Sequence, residues 1–144
     1  MDSLQDLRDR AELTDLLARQ GRWLDERRYD DDAFTASVFT PDAVAVTGGG
    51  RAEGRTELIA QARRAHDRFT VTQHLTTGVA VDLDGDRAAV RANLVAVLVP
   101  GENATPIAVG EVYRFDAVRT PDGWRFASVE ATRLWRSGEV PAAS

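Results

Sequence analysis

The chain has no cysteine and no lysine, and only two histidines and one methionine among 144 residues. Without thiols there is no disulfide framework and no thiolate metal site, so an apolar core has to hold the fold. Two separated histidines, His66 and His74, make a poor metal set, and no metal site is expected. No Gly-x-Ser-x-Gly element is present to carry a nucleophilic serine. Gly48-Gly49-Gly50 lacks the lysine of a phosphate loop and the spacing of a dinucleotide fingerprint, and it reads as a turn. No apolar run approaches the roughly 20 residues that span a bilayer. The segment Met1–Asp6 lacks the basic and apolar regions of a signal peptide, so a cytoplasmic location is expected. All 18 basic residues are arginine, and 23 acidic residues bring the net charge to −5. No basic patch interleaved with aromatics is visible. Nucleic acid and anionic membranes are therefore not expected partners.

What remains is an ordinary globular composition, 43% hydrophobic and 28% charged. The length suggests one domain over residues 1–138, with a flexible tail at 139–144. The first half has helical periodicity. Leu13, Leu16, Leu17, Gln20 and Leu24 form one face over about residues 4–28. Asp30, Asp31 and Asp32 can cap a second short helix at Ala33–Phe39, which Thr40-Pro41-Asp42 would end as a turn. A short strand at Ala43–Thr47 precedes a third helix at Arg55–Asp67, with Leu58, Ile59 and Ala62 inward. The second half switches to period two. Strands are expected at Val71–Leu83, with a bulge near Gly78, and at Ala88–Val99, which reads as central because its second half is apolar on both faces. Two more follow at Ile107–Val118 and Trp124–Trp135, around Thr120-Pro121-Asp122-Gly123. Helices first and a long antiparallel meander second make an α+β fold, with helices on one face of the sheet.

His74 lies in the strand segment Thr72-Gln73-His74-Leu75. Its imidazole can exchange a proton near neutral pH, although a lone strand histidine also serves as a structural polar residue. Alternation puts Glu111 on the face of Val109, Tyr113 and Phe115. A carboxyl there is either ion-paired, with Arg133 the natural partner, or is a cavity acid that moves a proton. Arg133 shares a face with Val129, Ala131 and Trp135, and could stabilise a developing oxyanion or simply form a salt bridge. Asp25 flanks the apolar stripe at the end of the first helix. Arg27, Arg28 and Asp30–Asp32 read as solvated charge. Trp23, Trp124 and Trp135 read as core or cavity wall, and His66, in a polar helical run, as exposed.

These pieces occur in a recognisable order. Trp23-Leu24-Asp25 is followed by Tyr29-Asp30, Phe39-Thr40-Pro41-Asp42-Ala43, Glu53-Gly54-Arg55, Thr72-Gln73-His74-Leu75, Gly123-Trp124-Arg125-Phe126 and Arg133-Leu134-Trp135-Arg136. Over about residues 5–137 the chain resembles the SnoaL-like family of the nuclear transport factor 2-like superfamily. The resemblance implies a cone, in which three N-terminal helices pack in a curved, mostly antiparallel sheet around an apolar pocket, and it implies a homodimer. It places Asp25 and His74 where scytalone dehydratase and bile-acid dehydratases keep a catalytic aspartate–histidine pair, and Arg133 where the latter carry a functional arginine. Gln20, Trp23, Glu111, Tyr113, Arg133 and Trp135 would contact substrate. Ketosteroid isomerases need a tyrosine at Gln20 and an aspartate at Thr47, so their chemistry is not expected. The implied function is cofactor-independent acid–base dehydration or cyclisation of an apolar cyclic or polyketide-type molecule. A non-catalytic binding or dimerising scaffold is the alternative, because fold alone does not set function.

Overall fold

The structure is a computed structural model describing residues 3–139. All of the expected tail except Glu139 lies outside the described residues. Helix α1 (Leu4–Asp25) opens with a capping box: Ser3 Oγ accepts from the Asp6 amide, and the Asp6 carboxylate accepts from the Ser3 amide. Its buried face runs Asp9, Leu13, Leu16, Leu17, Gln20, Trp23, Leu24. Arg27, in a left-handed conformation at φ 50°, breaks the helix, and a 3-10 turn (Arg28–Asp30) leads to α2 (Asp32–Val38). Asp31 caps α2 by accepting from the Phe34 amide, as the aspartate run suggested.

The chain then enters β1 (Phe39–Thr47), and the expected turn at Thr40-Pro41-Asp42 is part of this strand. The ladder to the last strand slips between Phe39 and Val44, which accommodates a proline that cannot donate to it. A short hairpin partner not foreseen from sequence, β2 (Gly50–Glu53), follows the Gly48-Gly49 turn. Helix α3 (Gly54–His66) starts at a glycine with φ 83°. The meander comprises β3 (Val71–Asp84), β4 (Arg87–Val99), β5 (Ile107–Thr120) and β6 (Gly123–Arg136).

The six strands lie in the order β2-β1-β6-β5-β4-β3. All neighbours are antiparallel except β1 and β6, which pair in parallel. Register shifts at Thr77/Ala80, around Gly78 with φ 61°, and at Gly110/Glu111 and Asp116/Ala117 add the local twist that curls the sheet. The three helices fill its concave side, so this is the expected α+β cone. Strand β4 is interior but sits next to the edge strand β3. Its outward residue Val95 is 38% exposed, so its two-faced apolarity marks an uncovered outer surface and not burial on both sides.

One end of the cone is fastened by a buried carboxylate. Asp9 accepts two bonds of 2.8 Å from Arg119 of β5 and one of 3.1 Å from Trp124 Nε1 of β6. Gln5 adds a fourth. The Arg119 hydrogen bonds dominate over burial and hold the Asp9 carboxyl well below the usual range. The other end stays open.

Candidate active site

The open end holds a cavity of about 760 Å³, within the size range of small-molecule sites. Most of its wall is apolar: Trp23 and Leu24 of α1, Leu58 of α3 and Phe69 after it face Phe39, Leu98, Val109 and Val129 of the sheet. Polar side chains interrupt this wall, among them His74, His66, Gln20, Glu111, Tyr113 and Arg133.

His74 and Thr72 are two apart on β3 and therefore point the same way, toward the last residue of α1. That residue is Asp25. Its Oδ1 accepts from Thr72 Oγ1 at 3.1 Å and from His74 Nδ1 at 2.5 Å, and its Oδ2 accepts from the His74 backbone amide at 2.8 Å. Burial pushes the Asp25 carboxyl up, but the His74 ring, the His74 amide and the Thr72 hydroxyl outweigh it and leave the carboxyl below its ordinary value. An ionised carboxylate can only accept, so Nδ1 is the ring nitrogen that donates to it, and in the neutral tautomer this selects, the lone pair lies on Nε2. The His74 side chain is 4% exposed, lines the cavity, and has no protein partner at Nε2 among the described residues. Asp25 does not line the cavity; it stands behind the imidazole.

Arg27 secures this arrangement and is not the solvated charge expected. Its guanidinium donates to the carbonyls of His66 at 2.8 Å and Phe69 at 2.6 Å, tying the end of α1 to the end of α3. Asp30 and Asp31 do pair at the surface, with Arg63 and Arg28 respectively.

Gln20, Trp23, Glu111, Tyr113 and Arg133 all line the cavity. Trp23 is fixed by donating Nε1–H to Thr35 Oγ1 at 2.9 Å. Burial pushes the Tyr113 phenol far up, only partly offset by a hydrogen bond with the Gln20 carboxamide, so the phenol keeps its proton. Gln20 Oε1 is buried without any partner. Glu111 and Arg133 face each other across β5 and β6, with a closest approach of 3.6 Å. The ion pair and the cavity location therefore hold together. Arg64 and Arg68 add two more guanidinium groups to the lining.

Two further placements differ from expectation. Trp135 is on the outer face of the sheet and does not line the cavity. Glu111 pairs with Arg133 but Gly110 pairs with Trp135, so Leu134 is an extra residue that flips the alternation of β6. The indole covers Gly110, where an added Cβ would collide with Trp135 Nε1. Gly110→Ala should expel the indole and cost about 1–3 kcal/mol, read as a lower thermal midpoint with altered tryptophan fluorescence. His66, expected to be exposed, lines the cavity with its ring centroid 5.1 Å from that of His74. The signal was present in the sequence: His66 is four residues beyond Ala62 and eight beyond Leu58, on the inward face of α3.

The sequence profile of the SnoaL-like domain matches residues 5–130. The chain belongs to the SnoaL-like family. Uncharacterized proteins of Mycobacterium tuberculosis and Mycobacterium bovis are 35% identical to it over 139 residues, covering 94% of this chain and 92% of theirs. Among solved structures, the Kfla4162 protein of Kribbella flavida superposes with a TM-score of 0.80 at 27% identity, covering 90% of this chain and 93% of that one. Hexachlorocyclohexane dehydrochlorinase LinA-type3 of Novosphingobium barchaimii gives a TM-score of 0.82 at 19% identity, over 98% of this chain and 100% of that one. A candidate scytalone dehydratase of Novosphingobium aromaticivorans gives 0.82 at 18%, over 96% and 93%. At these last identities the likeness is one of fold. No helix among the described residues of this SnoaL-like chain is long and apolar enough to cross a membrane.

Proposed function

We propose that the chain is a cofactor-independent acid–base enzyme that dehydrates an apolar cyclic β-hydroxy ketone. The observation that carries this is the Asp25–His74 pair, with Nδ1 bonded to the carboxylate and the ring lining the cavity. His74 Nε2 would take a proton from the carbon next to the carbonyl. Asp25 steadies the imidazolium so formed. The enolate oxygen would rest against the Tyr113 hydroxyl, which retains its proton, or against Arg133. The His74 Nε2–H then returns its proton to the β-hydroxyl, which leaves as water. The substrate loses one hydrogen and one hydroxyl and gains a double bond. The same proton transfers would serve cyclisation when the enolate attacks an internal carbonyl.

Folds of this shape given in structural comparison to a dehydrochlorinase and a candidate dehydratase fit an elimination. The apolar wall fits a fused-ring substrate and limits competing water. A β-hydroxy-tetralone is a suitable probe, since its dehydration yields a fluorescent naphthol. The enzyme should turn it over with saturation kinetics. Tight binding with no naphthol formed, across a panel of such ketones, would favour the scaffold reading.

A homodimer belongs to the same proposal. Leu75, Val95, Gly110 and Trp135 are in register across four strands on the outer face. Leu75 is 45% and Trp135 47% exposed. An apolar row of this extent is normally covered by a protein partner, and a second copy presents the same row. Val95→Arg combined with Trp135→Arg should give a monomer in sedimentation velocity, while the wild-type chain sediments as a dimer. A wild-type monomer at all concentrations contradicts this.

A further inference from the structure

His66 is a titratable group inside the cavity that the proton transfers above leave unused. Its Nδ1 lies 2.9 Å from the Ala62 carbonyl in its own helix. A carbonyl can only accept, so Nδ1 carries the hydrogen and Nε2 carries the lone pair. No side chain among the described residues takes that lone pair. The ring lines the cavity, tilted by 57° from that of His74 at a centroid separation of 5.1 Å. Its position is held by the Arg27 bond to the His66 carbonyl.

We infer that His66 is a second substrate-contacting imidazole, whose Nε2 accepts the hydroxyl hydrogen of the substrate and turns the hydroxyl oxygen toward His74. This rests on the acid–base reading of the cavity and names the group that the ligand must carry, a hydroxyl able to donate.

The two imidazoles divide the work because their surroundings differ. His74 has a carboxylate behind it and can become cationic. His66 has only a backbone carbonyl. Burial, and then the neighbouring His74 and Arg27, depress its pKa to about 4, against the Ala62 carbonyl and Asp25, which raise it. It therefore stays neutral at pH 7, and more so once His74 has taken a proton. A hydroxyl whose hydrogen is bound by His66 Nε2 presents its oxygen lone pairs elsewhere in the cavity. The imidazolium Nε2–H of His74 is one ring away. That orients the leaving group for protonation and disfavours an ether or a halide in its place. A rival acceptor in the lining is the orphaned Gln20 Oε1.

The test uses β-naphthol and its methyl ether, which differ in the hydroxyl hydrogen, and a chain labelled with nitrogen-15 at histidine. Only two imidazoles then report. In the free chain His66 should show a protonated Nδ1 and a bare Nε2 at pH 7. Naphthol should shift the His66 Nε2 resonance in the direction of hydrogen bonding, and the methyl ether should not. His66→Phe should weaken naphthol on the order of tenfold and leave the ether unchanged, the size of one hydrogen bond. His66→Gln, whose side-chain oxygen can accept, should restore part of the preference. Naphthol binding with His66 Nε2 unmoved, or a preference lost in Gln20→Leu and kept in His66→Phe, overturns the inference while leaving the cavity reading intact. Failure of both compounds to bind overturns the cavity reading as well.

Discussion

His74→Ala lowers kcat/KM for β-hydroxy-tetralone dehydration by on the order of 10²–10⁴-fold, the range that a positioned general base contributes. The far-UV circular dichroism of the variant stays native, because the remaining Asp25 bonds, from Thr72 Oγ1 and the residue-74 backbone amide, do not need the imidazole. Asp25→Asn is the sharper variant. It preserves shape, but an amide can donate as well as accept, so it no longer dictates which imidazole nitrogen carries the hydrogen. It also removes the negative charge that stabilises the imidazolium. The expected loss is again several powers of ten, through kcat more than KM, because the base and not the binding surface is impaired. An Asp25→Asn enzyme with wild-type kcat would show that the carboxylate is only a structural anchor for β3.

Asp9→Ala has the largest expected effect on stability, about 3–5 kcal/mol. It leaves the Trp124 indole N–H buried without an acceptor and the Arg119 guanidinium without its two-pronged partner. The contribution has a defined pH dependence. Because the folded-state pKa of Asp9 is depressed, its stabilisation is complete above the unfolded carboxyl pKa near 4. It is lost as pH falls through the folded value. In urea titrations the gap between wild type and Asp9→Ala should be full at about pH 7 and should narrow below about pH 4. A gap independent of pH would mean that the cost comes from lost packing alone.

The fold was legible where periodicity is unbroken. The stripe from Leu13 to Leu24 marked α1, and the period-two runs marked the four long strands to within a few residues. The departures have specific physical origins. A proline inside a strand reads as a turn, and Pro41 sits where β1 slips its register. One extra residue in β6 sent Trp135 to the face opposite the one that simple alternation gives. Asp9 lies on the same face as Leu13, Leu16 and Gln20, and nothing in its local sequence singles it out. Its partners Arg119 and Trp124 are more than a hundred residues away and reach it only after the sheet has curled. His66 was obscured by its arginine-rich surroundings. Asp25 and His74 are 49 positions apart, and no spacing rule joins them; the resemblance did, and the hydrogen bonds give the pairing its geometry. Arg64 of α3 and Arg68 just beyond it, both in the cavity lining, had no sequence signal beyond their charge.

The most direct measurement of the central claim is proton exchange at carbon, free of any leaving group. In deuterium oxide, the chain should exchange the hydrogens beside the carbonyl of an unsubstituted tetralone, followed by proton NMR. His74→Ala should reduce that rate to the buffer background, and Asp25→Asn should come close to it. Exchange by His74→Ala at the wild-type rate, or none by the wild-type chain with the ketone bound, would contradict the claim that His74, held by Asp25, is the base of this cavity.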